Sequence, residues 1–270
     1  MSAMNPITSR LDRAKRRIPR KLREARPGQP VTWSARRLNR LTSKMPAAST
    51  YLEVGVQHGT TLEQVQVPFK WGVDPYPRFQ SHRLPEGYRF FRGTSDHFFG
   101  SLPSNVRFDL VFLDGLHTWS QTYRDLIHVS RHCHDLSVVL IDDVLPSDEF
   151  SALPSEEEAL RRRHATGRMT WEWHGDVYKT LVAIDRLHPE LDFHVIQDFQ
   201  GNSQAVVWWR SGKSAIRPGL DAQLLEIDEI QYSDVFKENV VPSFFRAGDE
   251  DYVLQHVTSL LLDRASLRSS

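Results

Sequence analysis

The chain has 270 residues, enough for one large α/β domain or one domain with appendages. Apolar residues make up 40% and charged residues 25%, with ordinary Gly and Pro contents, which excludes a fibrous or disordered chain. No run approaches the roughly 20 apolar residues of a membrane span, no apolar signal core follows the N-terminus, and a single cysteine, Cys133, excludes a disulfide framework, so a cytoplasmic setting is expected.

The formal net charge of zero hides an asymmetry. Residues 1–44 hold 13 Lys and Arg against 2 Asp and Glu, a net +11 that the remaining residues balance with −11. Such an arm can bind nucleic acid or anionic membranes. Here Pro19 interrupts the helical pattern, and no aromatics interleave with the charges. The reading adopted is a basic arm with helices that packs on its own acidic body or on a second subunit, with nucleic acid not expected as a partner.

From Thr50 onward, short apolar runs alternate with helix-like segments. The runs are TYLEVGV (50–56), FKWGVD (69–74), YRFFRG (88–93), FDLVFLD (108–114) and LSVVLIDD (136–143). Continuous hydrophobicity suits parallel strands covered on both faces. Helices are expected over 58–66, 94–100 and 118–133, the last with Tyr123, Leu126 and Ile127 on one face and Ser130 at its margin. SEEEALRRRHATG (155–167) predicts an exposed helix capped by Ser155, a candidate lid. VYKTLVAIDRLHPE (177–190) predicts a helix stopped by Pro189. FHVIQD and QAVVWWR flank the turn signal Gly201-Asn202-Ser203, which predicts a hairpin. The expected sheet is mostly parallel with one reversed strand, and ligands should bind at the carboxyl ends of its strands. Two or three helices are expected over 213–270.

The first strand runs into EVGVQHGTT, with Glu53, Gly55, His58 and Gly59 ahead of a helix. The spacing is E-x-G-x-x-x-G, not the dinucleotide pattern G-x-G-x-x-G, which would need glycine at Gln57. The second strand ends in Asp74, 21 residues beyond Glu53, where an acid can bind ribose hydroxyls. These motifs resemble the first two of the class I S-adenosylmethionine-dependent methyltransferases. The resemblance covers about residues 48–210 and implies a Rossmann-like, seven-stranded α/β fold binding S-adenosyl-L-methionine. It implies that Gly55 and Gly59 line the glycine loop, with Glu53 and His58 beside it, and that Asp74 holds the ribose. Gly93-Thr94-Ser95-Asp96 stands where that family contacts adenine, which makes Ser95 a candidate.

Strand four ends at Asp114, with His117 three residues on, and strand five ends at Asp142-Asp143. If these strands are neighbours, three carboxylates gather and raise one another's pKa unless a cation joins them. All-oxygen ligands favour Mg²⁺, or Mn²⁺ or Ca²⁺, over zinc. Asp-Gly after a strand is also a common turn, and paired aspartates also cap helices. Asp114-x-x-His117 with Asp142-Asp143 resembles the metal-dependent O-methyltransferases of sugars and natural products and the cephalosporin-hydroxylase-like proteins. That resemblance implies Mg²⁺ on Asp114, Asp142 and Asp143, with Asp114 also at the cofactor, and His117 as general base toward a hydroxyl of a small-molecule or sugar acceptor. The first residue of the strand-five pair is often Glu there, so Asp142 reaches one methylene less far.

TWEWHGDVYKTL (170–181) offers Trp173, Asp176, Tyr178 and Lys179 as candidate acceptor contacts, with Trp171 as a further ring. Asp176 could equally cap the following helix. Arg131-His132-Cys133-His134-Asp135 lacks zinc-type spacing and reads as a helix C-terminus. The expected organisation is a basic arm (1–44), a methyltransferase domain (45–212) and a helical extension (213–270), with a homo-oligomer possible. The rivals are a nicotinamide-dependent oxidoreductase and a non-catalytic module of the same fold. Deleting residues 1–44 should leave an enzyme active and strip a binding module of its partner.

Overall fold

The computed structural model describes residues 30–45, 48–79, 85–198, 202–210 and 215–269. Most of the expected basic arm, Gly201 of the expected turn and the start of the expected extension lie outside these residues.

The five apolar runs form β1 (Thr50–Val54), β2 (Phe69–Val73), β3 (Tyr88–Phe91), β4 (Leu110–Leu113) and β5 (Val138–Ile141). The hairpin supplies β6 (Leu191–Ile196) and β7 (Gln204–Trp209). The strand order is β3-β2-β1-β4-β5-β7-β6. The first five strands pair in parallel, and β7 runs antiparallel to both β5 and β6. This is the expected Rossmann-like sheet with one reversed strand. Strands β4, β5 and β7 are buried along their whole length, which is why their sequences run apolar without alternating.

The helices are α1 (Trp33–Thr42), α2 (Thr60–Gln64), α3 (Ser95–Ser101), α4 (Trp119–Ser130), α5 (Glu156–Ala165), α6 (Tyr178–Leu187), α7 (Asp221–Asp228), α8 (Tyr232–Val235) and α9 (Glu250–Ser269). Caps read from sequence are in place: the Ser155 hydroxyl accepts the Glu158 amide and starts α5. In α4, Tyr123, Leu126, Ile127 and Ser130 are all buried, as their spacing requires.

Two-residue alternation sorts the sheet into two layers. Leu52, Val54, Leu113 and Ile141 face α3, α4, α6 and the 216–245 segment. Tyr51, Phe112, Leu140 and Trp208 face the other way, against Leu38 and Leu41 of α1, Leu62 of α2 and Val253 and Val257 of α9. Residues on both sides of the central domain thus complete its cores. Helix α1 is also clamped by charge: Arg36, Arg37 and Arg40 all reach the Glu250 carboxylate at the start of α9. The described part of the basic segment therefore packs on the acidic body. Deleting residues 1–44 would take away Ala35, Arg37, Leu38 and Leu41, all fully buried.

Candidate active site

Register decides which residues leave the sheet together. Val54 pairs with Val73 and with Leu113, and Leu113 pairs with Ile141. The next residues, Asp74, Gly55, Asp114 and Asp142, therefore form one row along the carboxyl edge. Strand order reverses between β1 and β4, the place where open parallel sheets bind ligands. A cleft of about 600 Å³ opens there, a volume typical of small-molecule sites. Gly55, Gln57, Asp74 and Tyr76 line it after β1 and β2, and Asp114, His117 and Asp143 line it after β4 and β5, with Trp173 beside His117.

On the β1–β2 side, Gly55 has φ +88, and a Cβ there would lie 1.7 Å from the Asp114 carbonyl oxygen. Only glycine lets these two strand ends meet. Asp74 braces the loop: Oδ2 accepts the amides of Val56 (3.0 Å) and Gln57 (2.8 Å), and Oδ1 accepts that of Tyr76 (2.6 Å). Three bonds leave a carboxylate further acceptor capacity, and Asp74 lines the cleft. Gly59 starts α2 at φ +79, and His58 is exposed. Neither lines the cleft, nor does Ser95. Ser95 is buried, and its hydroxyl accepts from Gln121, which also bonds Asp125. Glu53 requires a correction. It alternates with Val54, so its side chain faces the α1–α9 layer and accepts the Tyr51 hydroxyl at 2.7 Å. Burial raises its pKa well above the carboxylate range.

On the β4–β5 side, His117 sits between two carboxylates. Its Nε2 lies 3.4 Å from Asp114 Oδ1, and its Nδ1 lies 2.9 Å from Asp143 Oδ2. The second approach is off the ring's hydrogen-bonding direction, so charge attraction dominates it. Burial alone would lower the His117 pKa, but the two carboxylates outweigh it and lift the value from 6.5 to about 10. Asp114 keeps 32% of its side-chain surface open. Even so, burial raises it from 3.8 to about 6, opposed by His117 and reinforced by Asp143. The Trp173 ring stacks on His117 at 5.0 Å and 13°, and its Nε1 donates to the Leu153 oxygen. His117 (φ +56) and Asp143 (φ +59) both adopt left-handed backbone, uncommon for residues with a side chain and frequent at functional turns.

One ligand atom each from Asp114, His117 and Asp143 falls within 4.8 Å of the other two, so the three can share a cation. This set departs from the one expected. Asp142 follows Leu140 by two residues and turns into the α1–α9 layer, where Oδ1 accepts the Asp143 amide. Burial, then the charges of Asp143 and Asp114, push its pKa well up. With His117 in place of Asp142 the donors are two oxygens and one nitrogen, which widens the choice from Mg²⁺ toward Mn²⁺ and other imidazole-tolerant ions.

Three of the four expected acceptor contacts lie outside the cleft. Asp176 does cap a helix, but α4 rather than its own: Oδ1 accepts the Trp119 amide at 2.9 Å. Lys179 pairs with Asp176 at 3.4 Å and donates to the Asp228 oxygen. Tyr178 is buried against Phe236. Trp173 alone faces the cleft, joined by Trp171, Glu172 and His174. Arg163 of α5 donates to the Glu172 oxygen and pairs with Asp148, so the expected lid helix buttresses that wall. His132 and His134 bond the Val106 oxygen and Asp109 separately, as non-metal histidines. Sequence reasoning passed over Gly175. Its φ is +67, and a Cβ would lie 1.6 Å from the His117 carbonyl oxygen. A glycine in a segment already under suspicion was the available signal.

Residues 52–144 match a family model described as a methyltransferase domain. The sheet order above, which includes the matched span, is of the Rossmann-like type. Among solved structures, the chain is similar to cofactor-bound Rv0187 from MTB, with 16% identity, a TM-score of 0.50 and coverage of 76% of this chain and 90% of that one. It is also similar to the O-methyltransferase TomG from Streptomyces achromogenes, solved with SAM, at 12% identity, TM-score 0.48 and coverage of 78% and 100%. At 16% identity the likeness to the first is one of fold. Comparison with curated proteins gives no match. No helix among the described residues is long and apolar enough to cross a membrane.

Proposed function

We propose that the protein transfers the methyl group of S-adenosyl-L-methionine to a hydroxyl of a small molecule or sugar. The observation that carries this reading is that the glycine loop with Asp74 and the Asp114–His117–Asp143 cluster line one cleft, on its β1–β2 and β4–β5 sides. The cofactor fits the β1–β2 side. Gly55 opens the backbone there, and Asp74 keeps acceptor capacity for ribose hydroxyls. A divalent cation fits the β4–β5 side, held by Asp114 and Asp143 with His117 within reach. When bound, it would offset the carboxylate charge and lower the pKa of an acceptor hydroxyl.

The residues of the chain then have separate tasks. Compensation of the two carboxylates would weaken the attraction that raises the His117 pKa and so favour its neutral form. In this role His117 does not ligate the cation, which Asp114 and Asp143 hold; its Nδ1 is sealed from solvent, so Nε2 is the atom that takes the hydroxyl proton. The hydroxyl oxygen bonds the methyl carbon, the carbon–sulfur bond breaks, and its electron pair stays on sulfur. Trp173 holds the imidazole plane and walls the acceptor side. Alignment of oxygen, methyl and sulfur is the largest catalytic contribution.

Isothermal titration with S-adenosylhomocysteine and with NAD tests the cofactor, and a radiolabelled methyl-transfer screen over sugars and phenols tests the reaction. Micromolar binding of the homocysteine compound with none of NAD is expected; the reverse would make the protein an oxidoreductase.

A further inference from the structure

A chain of polar contacts runs from the N-terminal helix to the cleft, and the reaction above does not use it. Arg37, in the middle of α1, has a fully buried side chain (0% exposed). Outward, its Nε pairs with Glu250 and one terminal nitrogen with Asp198, both at 2.9 Å. Inward, the other terminal nitrogen donates to the Asn202 backbone oxygen at 2.6 Å and to Gln204 Oε1 at 2.8 Å.

A guanidinium only donates, so it dictates which way the Gln204 amide points. The oxygen faces Arg37, and the amide nitrogen is turned to Ser34 Oγ (2.7 Å) and to the Asp142 carboxylate. Asn202 Nδ2 also approaches Asp142 Oδ2, at 3.4 Å. Asp142 Oδ1 in turn accepts the backbone amide of Asp143 at 2.9 Å, and Asp143 holds its left-handed turn beside His117. The Arg37–Gln204 and Asp142–Asp143 bonds are buried, where a broken link is expensive.

We propose that Arg37 is a positioning residue for methyl transfer. Through Gln204 and Asn202 it orients Asp142, which sets the backbone of Asp143, so that α1 is a working part of the active site. The inference rests on the reading of Asp143 and His117 as the reacting side of the cleft. It also gives one charge of the basic segment a task that no surface arm could perform.

Two variants separate positioning from simple docking of α1. Arg37→Gln cuts the inward bonds. Glu250→Gln weakens the outward clamp that Arg36, Arg37 and Arg40 share. For Arg37→Gln, kcat should fall by on the order of 10²-fold, the effect of about 1 Å of misplacement. KM for the cofactor should stay unchanged, because the contact chain runs through Gln204, Asn202, Asp142 and Asp143 and not through Gly55 or Asp74. Glu250→Gln should lower the melting temperature and leave kcat intact. Equal loss in both variants, or an unchanged kcat in Arg37→Gln, overturns the proposal. Should Arg37→Gln not fold, Gln204→Glu decides. It keeps an acceptor for Arg37 and replaces the N–H facing Asp142 with a second acceptor, so the same loss is expected and full activity overturns the proposal. A crystal structure of the folding variant should show Asp143 Oδ2 beyond ion-pair reach of His117, about 4 Å; an unchanged contact refutes the idea. That readout stands even if the wild type transfers no methyl group, a result that would defeat the proposed function alone.

Discussion

Gly175→Ala places a methyl group where the backbone of His117 already is. The new Cβ would stand 1.6 Å from the His117 carbonyl oxygen and 2.7 Å from its carbonyl carbon. Carbon and oxygen settle at about 3.3 Å even in their closest favourable contacts, so the two segments must part by roughly 1.5 Å. Alanine at φ +67 adds about 1–2 kcal/mol for left-handed backbone. For a chain of this size each kcal/mol lowers Tm by about 2–4 °C, so the backbone effect alone predicts a fall of about 2–8 °C. His117 must shift with its carbonyl, and misplacement by about 1 Å can reduce turnover on the order of 10²-fold. Scanning calorimetry reads the first effect and single-turnover methyl transfer the second. Gly175 does not line the cleft, so titration with S-adenosylhomocysteine should give wild-type affinity. A variant with lowered Tm but wild-type turnover would refute the reasoning, since the imidazole would then have moved without consequence.

His117→Ala should keep cofactor affinity and lose turnover; parallel loss of both would assign His117 to cofactor binding. EDTA should suppress methyl transfer and Mn²⁺ or Mg²⁺ restore it, whereas indifference to chelation leaves Asp114 and Asp143 as structural acids. In cation-free protein, His117 has a folded pKa of about 10 against 6.5 unfolded. Its stabilising contribution is therefore complete below pH 6.5 and lost as pH rises toward 10, and the Tm gap between wild type and His117→Asn should narrow over that window. Burial lifts Asp125 from 3.8 to about 6, against the bonds from Ser95 and Gln121. Its ionisation therefore opposes folding above pH 6 by about 3 kcal/mol. Asp125→Asn should raise Tm at pH 8 and change it little at pH 4; an equal effect at both would mean that charge is not the cause.

The elements of the sheet were legible in the sequence. Unbroken apolar runs gave the five parallel strands, and two more flanking 201–203 gave the hairpin, because central strands must be apolar on both faces. Asp74, Asp114 and Asp143 were also legible, since parallel strands release their ligand-binding residues at one edge. Side-chain direction was less so. Glu53 and Asp142 lie one residue from groups that face the cleft or its turns, and a single step along a strand reverses the face. Asp176 reads from the sequence as an acceptor contact or a cap of its own helix, and instead it caps α4, a partner 57 residues away in the chain.

Local pattern alone therefore determined the class of fold and the edge of the sheet where chemistry occurs, because backbone periodicity and strand burial are properties of short segments. Tertiary structure decided which groups meet. In the sequence Arg37 is one charge among 13 in a basic arm, yet it lies buried between Glu250, Asp198 and Gln204. Gly175 carries no signal of its own in the sequence, yet a Cβ there would collide with the His117 carbonyl oxygen. Both depend on contacts between segments far apart in the chain, and no local sequence window contains them.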